Sequence, residues 1–261
     1  MDKPHFWKSV VQSKVPEVTL SFWIIKILCT TVGETGADFL SVNVGLGALI
    51  TGAIMAALLI ATLIWQMRRT QCNASLYWLS VLLVSIVGTQ ITDALTDGMG
   101  VSLYVSTTVF AIGLVVAFVA WYRVEGTLSI RSIISRRREL FYWTVILLTF
   151  ALGTAAGDLV TEELGVGFQL GMAVFGGLIA LFAVAYYLKA NSIFVFWAAY
   201  ILTRPLGASL GDYLSQSRQY GGIGLGATTT SALFLTAIVI LVLVAGHGDP
   251  SNPSGTKHSL S

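Results

Sequence analysis

Five carboxylates, Glu34, Asp38, Asp93, Asp158 and Asp212, sit at or near the ends of long apolar stretches, where an ionised side chain is costly unless it is paired or wetted. Hydroxyl and amide oxygens lie close by in sequence, most notably Thr30, Thr31, Thr89 and Gln90. An all-oxygen set of this kind suits protons or hard cations such as Mg, Ca or Mn, and not the soft metals that select thiolate. If a divalent cation binds, Glu34, Asp38 and Asp93 are the expected ligands, and no other cofactor is implied. Lys26 and Arg204 are the only basic residues inside the same stretches, and each is expected to act as counter-charge to an acid. The three histidines, His5, His247 and His258, all lie near the chain ends, so no imidazole is at hand for acid–base work.

The stretches that carry these groups are too apolar for a water-soluble monomer. Of 261 residues 55% are hydrophobic and 11% charged, against roughly 25% charged in a soluble domain. Uncharged runs at 39–67, 70–92, 98–122, 164–188 and 219–248 each exceed the ~20 residues that cross a bilayer. A net charge of +2, thinly spread, argues against a nucleic-acid partner. Two cysteines, Cys29 and Cys72, form neither a disulfide framework nor a metal spacing. Residues 1–19 read as a cytoplasmic segment, amphipathic from His5 to Val18 and retained, since the apolar stretch after it contains Lys26 and Glu34 and has no small-residue cleavage site. Residues 246–261 read as a flexible tail.

Self-comparison returns one pattern four times: Trp, nine residues, Gly, four residues, Asp. The copies are Trp23, Gly33, Asp38; Trp78, Gly88, Asp93; Trp143, Gly153, Asp158; and Trp197, Gly207, Asp212. A second glycine element follows each aspartate, Gly45 and Gly47, Gly100 and Ser102, Gly165 and Gly167, Gly224 and Gly226, with a small insertion ahead of the fourth. Each repeat is therefore a hairpin of two spans, the first ending at the aspartate. The fold expected is all-α and polytopic, with eight transmembrane helices in four parallel two-helix repeats at 20–67, 75–122, 140–188 and 194–245. Twelve of the fifteen basic residues fall in the tails or between repeats, which places both termini in the cytoplasm. Eight of the thirteen acids lie at or near the hairpin tips. All repeats enter the membrane in the same sense, so a symmetry axis runs along the membrane normal.

These four Trp and Gly-x4-Asp repeats resemble a family of bacterial integral membrane proteins known as a membrane repeat of unknown function, over residues 20–245. The resemblance implies a multi-pass protein of the bacterial inner membrane, and brings no activity and no functional residues with it.

Each feature also has a plain structural reading. The repeat glycines suit close helix contact and the tryptophans an interfacial belt. Asp97, Glu162 and Glu163 suit simple solvation of the tips, and the repeat aspartates could tie each hairpin to its neighbour by a buried hydrogen bond. Glu34 stands apart because it lies one turn deeper and has no equivalent acid in the other repeats. Pro205 removes a helical donor beside Arg204 and is expected to kink the seventh span. Gly207-Ala208-Ser209-Leu210-Gly211 spells a hydrolase nucleophile elbow, yet no strand precedes it and no span holds a histidine.

The pattern leads to a non-enzymatic transporter that moves a hard cation or a proton-coupled solute through a carboxylate-lined, water-accessible cavity between the repeats. The alternative is a non-transporting scaffold or sensor whose buried acid–base pairs only lock the repeats together. An intramembrane aspartyl protease is remote, because four equivalent aspartates single out no dyad. The expected partners are the bilayer and a small ion or solute, with homo-oligomerisation left open.

Overall fold

A computed structural model of the protein describes residues 13–247, and among these all regular structure is helical. The eight α-helices are α1 Leu20–Asp38, α2 Ala48–Arg68, α3 Ala74–Asp93, α4 Leu103–Glu125, α5 Arg136–Asp158, α6 Phe168–Tyr187, α7 Ser192–Ser215 and α8 Ala227–His247. A polar side chain starts the first helix of every repeat: Thr19, Asn73, Ser135 and Asn191 accept from backbone N–H groups of the first turns of α1, α3, α5 and α7. The tight turn into the second helix uses positive φ, which glycine adopts without a Cβ penalty: Gly45 and Gly47 have φ of 78° and 75°, and in the second hairpin Gly100 alone does so, at 68°.

The first helices of the repeats form an inner ring, α1 against α3, α3 against α5, α5 against α7 and α7 back against α1. The second helices lie outside it, and each packs mainly on the first helix of the next repeat: α2 on α3, α4 on α5, α6 on α7, and α8 on α1. Every hairpin thus reaches across to its neighbour and the last closes on the first. Burial follows this division. The outer spans are 11–22% buried, whereas α3, α5 and α7 are 61–72% buried, so the outer layer is the one left for lipid. Seven of the eight helices are long and apolar enough to cross a membrane. The exception, α1, carries Lys26, Glu34 and Asp38 and lies in the inner ring, where its polar side chains face protein.

Two contact layers repeat around the ring. In the first, each repeat glycine meets a residue of the next repeat: a Cβ on Gly33 would overlap Ser85, on Gly88 Phe150, on Gly153 Arg204, and on Gly207 Thr30. The expectation of close helix contact holds at all four positions. In the second, the aromatic residue before each tryptophan touches the tryptophan of the next repeat. The ring centroids are 5.1 Å apart for Phe22 and Trp78, 5.6 Å for Tyr77 and Trp143, 6.2 Å for Tyr142 and Trp197, and 5.6 Å for Phe196 and Trp23. The expected interfacial belt is therefore corrected: Trp78, Trp143 and Trp197 are buried in this aromatic ring. A tryptophan in it gains apolar burial and edge contacts from both neighbours.

The inner helices also run on past the aspartates, where the sequence pattern placed their ends. After Asp38, Asp93 and Asp158 each continues for five residues as a π-helical turn, at Phe39–Asn43, Ala94–Gly98 and Leu159–Glu163. A hydroxyl at one repeat position accompanies each turn: Ser41, Thr96 and Thr161 donate to the carbonyls of Ala37, Thr92 and Gly157. These bonds hold carbonyls at the switch from four- to five-residue spacing. The fourth repeat lacks the π-helical turn and ends instead in a loop with a short 3-10 turn at Arg218–Tyr220. Pro205 does not break α7, which is continuous from Ser192 to Ser215; the ring of Pro205 rests against Gly153 and Gly157.

At the basic end the amphipathic reading of residues 5–18 falls largely outside the described residues, as does the C-terminal tail beyond His247. What is described is tied down. Ser13 donates to Ile130 O at 2.7 Å, Lys14 N donates to Ile133 O at 2.9 Å and the Lys14 ammonium pairs with the buried Glu139 at 2.6 Å, so residues 13 and 14 strap the long 126–135 connection and the start of α5.

Gly207→Val should lower the melting temperature of the detergent-solubilised protein, because its side chain collides with Thr30 and the backbone of Thr31; overpacking costs about 1–3 kcal/mol. Gly177→Ala, with nothing within 4 Å of the added carbon, should melt like the wild type.

Candidate functional site

The ring brings the polar groups of all four repeats to one level. Glu34, Thr89, Thr154 and Ala208 each lie eleven residues after their repeat tryptophan, and Arg204, at the seventh, reaches them from below. Its Nη2 donates to Glu34 Oε2 at 2.6 Å, Thr89 Oγ1 at 2.5 Å and Thr154 Oγ1 at 2.7 Å. One nitrogen on α7 thereby binds α1, α3 and α5 at once. The two threonines donate their own hydroxyl protons to the carbonyls of Ser85 and Phe150, which leaves oxygen lone pairs for the guanidinium. Glycine at 153 leaves the room that the Cβ and Cγ of Arg204 occupy. Arg204 is fully buried, and its Nε and Nη1 have no partner among the described residues. The expected pairing of Arg204 with an acid is present, and the acid is Glu34 of the first repeat.

Lys26 departs from expectation. It is fully buried two turns from Glu34, and no carboxylate lies within ion-pair distance among the described residues. Its ammonium donates to Tyr200 O at 3.1 Å and Thr203 Oγ1 at 2.6 Å, and lies 3.8 Å from the Tyr200 ring centroid and 4.9 Å from that of Phe150. Carbonyl, hydroxyl and ring faces replace the anion. Lys26 is thus no counter-charge to the acids. The pairing falls to Arg204 because that side chain is closer and presents a longer fork.

The aspartates gather above this level. Asp38, Asp93 and Asp158 are half-buried and Asp212 is 6% exposed. All four lie within Coulombic reach of Glu34, and each feels at least one further acid. None makes an ion pair or side-chain hydrogen bond among the described residues, so the buried tie between repeats is not what holds them there. Asp97, Glu162 and Glu163 are exposed at the tips, as expected of solvating residues.

The oxygen donors named from sequence divide. Thr89 belongs to the site, joined by Thr154. Thr30 and Thr31 donate to Ile27 O and pack at the seam with α7, under Gly207 and Gly211. Gln90 is buried with its Oε1 unpartnered. No three carboxylate, histidine or cysteine side chains stand in metal-holding geometry among the described residues, so Glu34, Asp38 and Asp93 do not assemble as a ligand set. Ser209 of the elbow-like motif donates to Pro205 O inside α7, a helix-packing role.

The two best-formed cavities are not a single enclosed chamber shared by the acids. Two open clefts flank Gln216 at the tip end. One, of about 380 Å³, is lined by Thr161, Glu162, Gly167, Phe168, Gln216 and Tyr220; the other, of about 320 Å³, by Asp38, Asn43, Ser215, Gln216 and Ala227.

Sequence reasoning missed the aromatic ring and the single-nitrogen hub. The first had a signal, an aromatic residue before every repeat tryptophan. The second had a weaker one, the run Thr30, Ser85, Phe150, Arg204 at one repeat position, which singles out Arg204 but does not say which acid it meets.

Arg204→Met should leave Glu34 buried without its cation and destabilise the protein by about 3–5 kcal/mol, read as a fall in melting temperature. The double variant Glu34→Gln with Arg204→Met should recover more than half of that fall, since no charge is then stranded.

No curated protein and no solved structure matches the chain. A family model does, in four consecutive copies at residues 21–71, 76–127, 141–191 and 195–245, the same four hairpins that build the ring. The chain is a helical membrane-repeat protein and belongs to the family described as Repeat of Unknown Function (DUF347).

Proposed function

We propose that the protein is a proton-coupled transporter of the bacterial inner membrane, which binds a small ion or solute at the acidic tip end and releases it toward the basic end. One observation carries the reading: four aspartates share one level and lie within Coulombic reach of Glu34, yet among the described residues none has an ion-pair or side-chain hydrogen-bond partner that would give it a structural role. Carboxylates kept bare in a membrane interior are paid for by function.

Beneath them Arg204 and Glu34 form the element a bound proton or cation would act on. Protonation of Glu34, or an incoming cation that competes for it, removes the only anion that Arg204 holds. Arg204 then has two threonine oxygens and must find another carboxylate, and the nearest candidates are the aspartates above. Such an exchange links occupancy of the mouth to the seam between α7 and the other inner helices. A proton-coupled solute is favoured over a resident divalent ion because the acids are not arranged as metal ligands. No enzymatic activity belongs to this reading. The orientation follows the basic residues, with the tips in the periplasm and both termini in the cytoplasm.

The non-transporting reading draws support from the aromatic ring and the glycine-cupped seams, which pack the axis at the basic end. In the transporter reading that packing is the closed inner side of a carrier open at the tips.

Proteoliposomes loaded with a pH-sensitive dye separate the two. Under an imposed pH gradient, manganese, magnesium, calcium and small amines are offered in turn, and solute-dependent proton movement is followed. A responding solute is expected, with Glu34→Gln and Asp38→Asn lowering its flux by about tenfold or more, equivalent to ~1.4 kcal/mol of barrier, and Asp38→Asn melting like the wild type. Absence of proton movement with every solute, or full activity in both variants, overturns the transporter reading.

A further inference from the structure

The ring is nearly fourfold in its packing, but its chemistry is concentrated at one seam. Repeat one supplies Lys26 and Glu34, and repeat four supplies Arg204, Pro205 and the only hairpin with an insertion. The cleft of about 320 Å³ opens at this same seam, between the end of α1, the end of α7 and the start of α8. Its polar lining is Asp38, Asn43, Ser215 and Gln216, with no basic side chain among them.

Ser215 is the independent observation. It holds the repeat position of Ser41, Thr96 and Thr161, whose hydroxyls are all taken by carbonyls of their own helices. Among the four, Ser215 Oγ alone is buried with no hydrogen-bond partner among the described residues, in the one repeat that lacks the π-helical turn, and Ser215 is one of the residues that line the cleft. A buried polar atom is rarely left unsatisfied, and where it lines a cavity the missing partner is a ligand or water. Asp38 on the opposite wall is equally without a partner, and Asp212 lies one turn back from Ser215 on α7.

We infer that this cleft, at the seam between α1 and α7, is a binding site for a small organic cation, an amine or diamine whose ammonium N–H groups are shared between the Asp38 carboxylate and the Ser215 hydroxyl. The inference deepens the transporter reading and rests on it for its role in transport, but not for binding. The wall supplies carboxylate, hydroxyl and amide oxygens and no cation, which selects a positively charged donor and rejects anions. A bare hard cation fits worse, since it asks for several converging carboxylate or carbonyl ligands and the site offers one carboxylate. The volume lies at the small end of ligand pockets, about 300–1,000 Å³, and suits a solute of a few carbon atoms. Deeper on the path a bound ammonium meets Glu34 already holding Arg204, so its advance requires the exchange proposed above.

The test is isothermal titration of the purified full-length protein with putrescine and, separately, with manganese chloride. Putrescine is expected to bind. Ser215→Ala and Asp38→Asn should each weaken it by about tenfold or more, as for loss of one hydrogen bond to a charged group. Thr96→Val, which removes the equivalent hydroxyl at another seam, should leave it unchanged. Every variant is first checked by thermal melting, and if Asp38→Asn does not fold, Ser215→Ala decides. Binding of manganese alone, no binding of putrescine, or unaltered affinity in Ser215→Ala overturns the site. Putrescine binding that depends on Ser215 but gives no flux in proteoliposomes keeps the site and removes the carrier; flux that ignores both residues keeps the carrier and removes the site.

Discussion

The structure turns on one guanidinium nitrogen. Arg204 Nη2 touches polar groups of all three other inner helices at once, and it does so in a fully buried setting. A buried charge must be answered where it stands, because water cannot reach it. The answer here is distributed: one carboxylate for charge and two hydroxyls for hydrogen bonds, each from a different repeat. The inner ring is therefore joined at its centre by an interaction that fails if any one helix shifts. Its remaining N–H groups have no partner, so the hub is not fully satisfied as it stands.

Around that hub the packing is cyclic and the chemistry is not. Glycine of one repeat receives the side chain of the next at four crossings, and an aromatic residue of one repeat meets the tryptophan of the next at four more. These contacts need only small or flat side chains, so a duplicated hairpin can supply them unchanged. Charge placement needs the opposite. Four lysines or four arginines at equivalent positions would repel one another on the axis, so Lys26, Glu34 and Arg204 each occur once. The seam between the first and last repeats, the one across which no loop joins consecutive repeats, carries most of this asymmetry and the cleft beside it.

The aspartates are the counterpart of the hub. They keep the repeat symmetry, yet they remain unpaired, while the single cation within reach is engaged by the deeper Glu34. Lys26 shows how far the protein avoids neutralising charges in pairs: it is accommodated by a carbonyl, a hydroxyl and two ring faces.

Much of this was legible in the residues. Uncharged runs, the spacing of Trp, Gly and Asp, and the glycine pairs after each aspartate determined eight helices in four hairpins, because bilayer thickness and left-handed turns act on the local chain alone. Arg204 called for an acid as counter-charge, because a basic residue inside an apolar span is costly without one. The chain did not disclose that the acid is Glu34, that Lys26 does without one, that the tryptophans face inward, or that α2, α4 and α6 pack on the following hairpin. Those facts depend on how helices are rotated and which neighbours they meet, and helix rotation is set by the sum of many side-chain contacts between distant segments. Local spacing reports which face of a helix is polar; only the assembled ring decides what that face confronts.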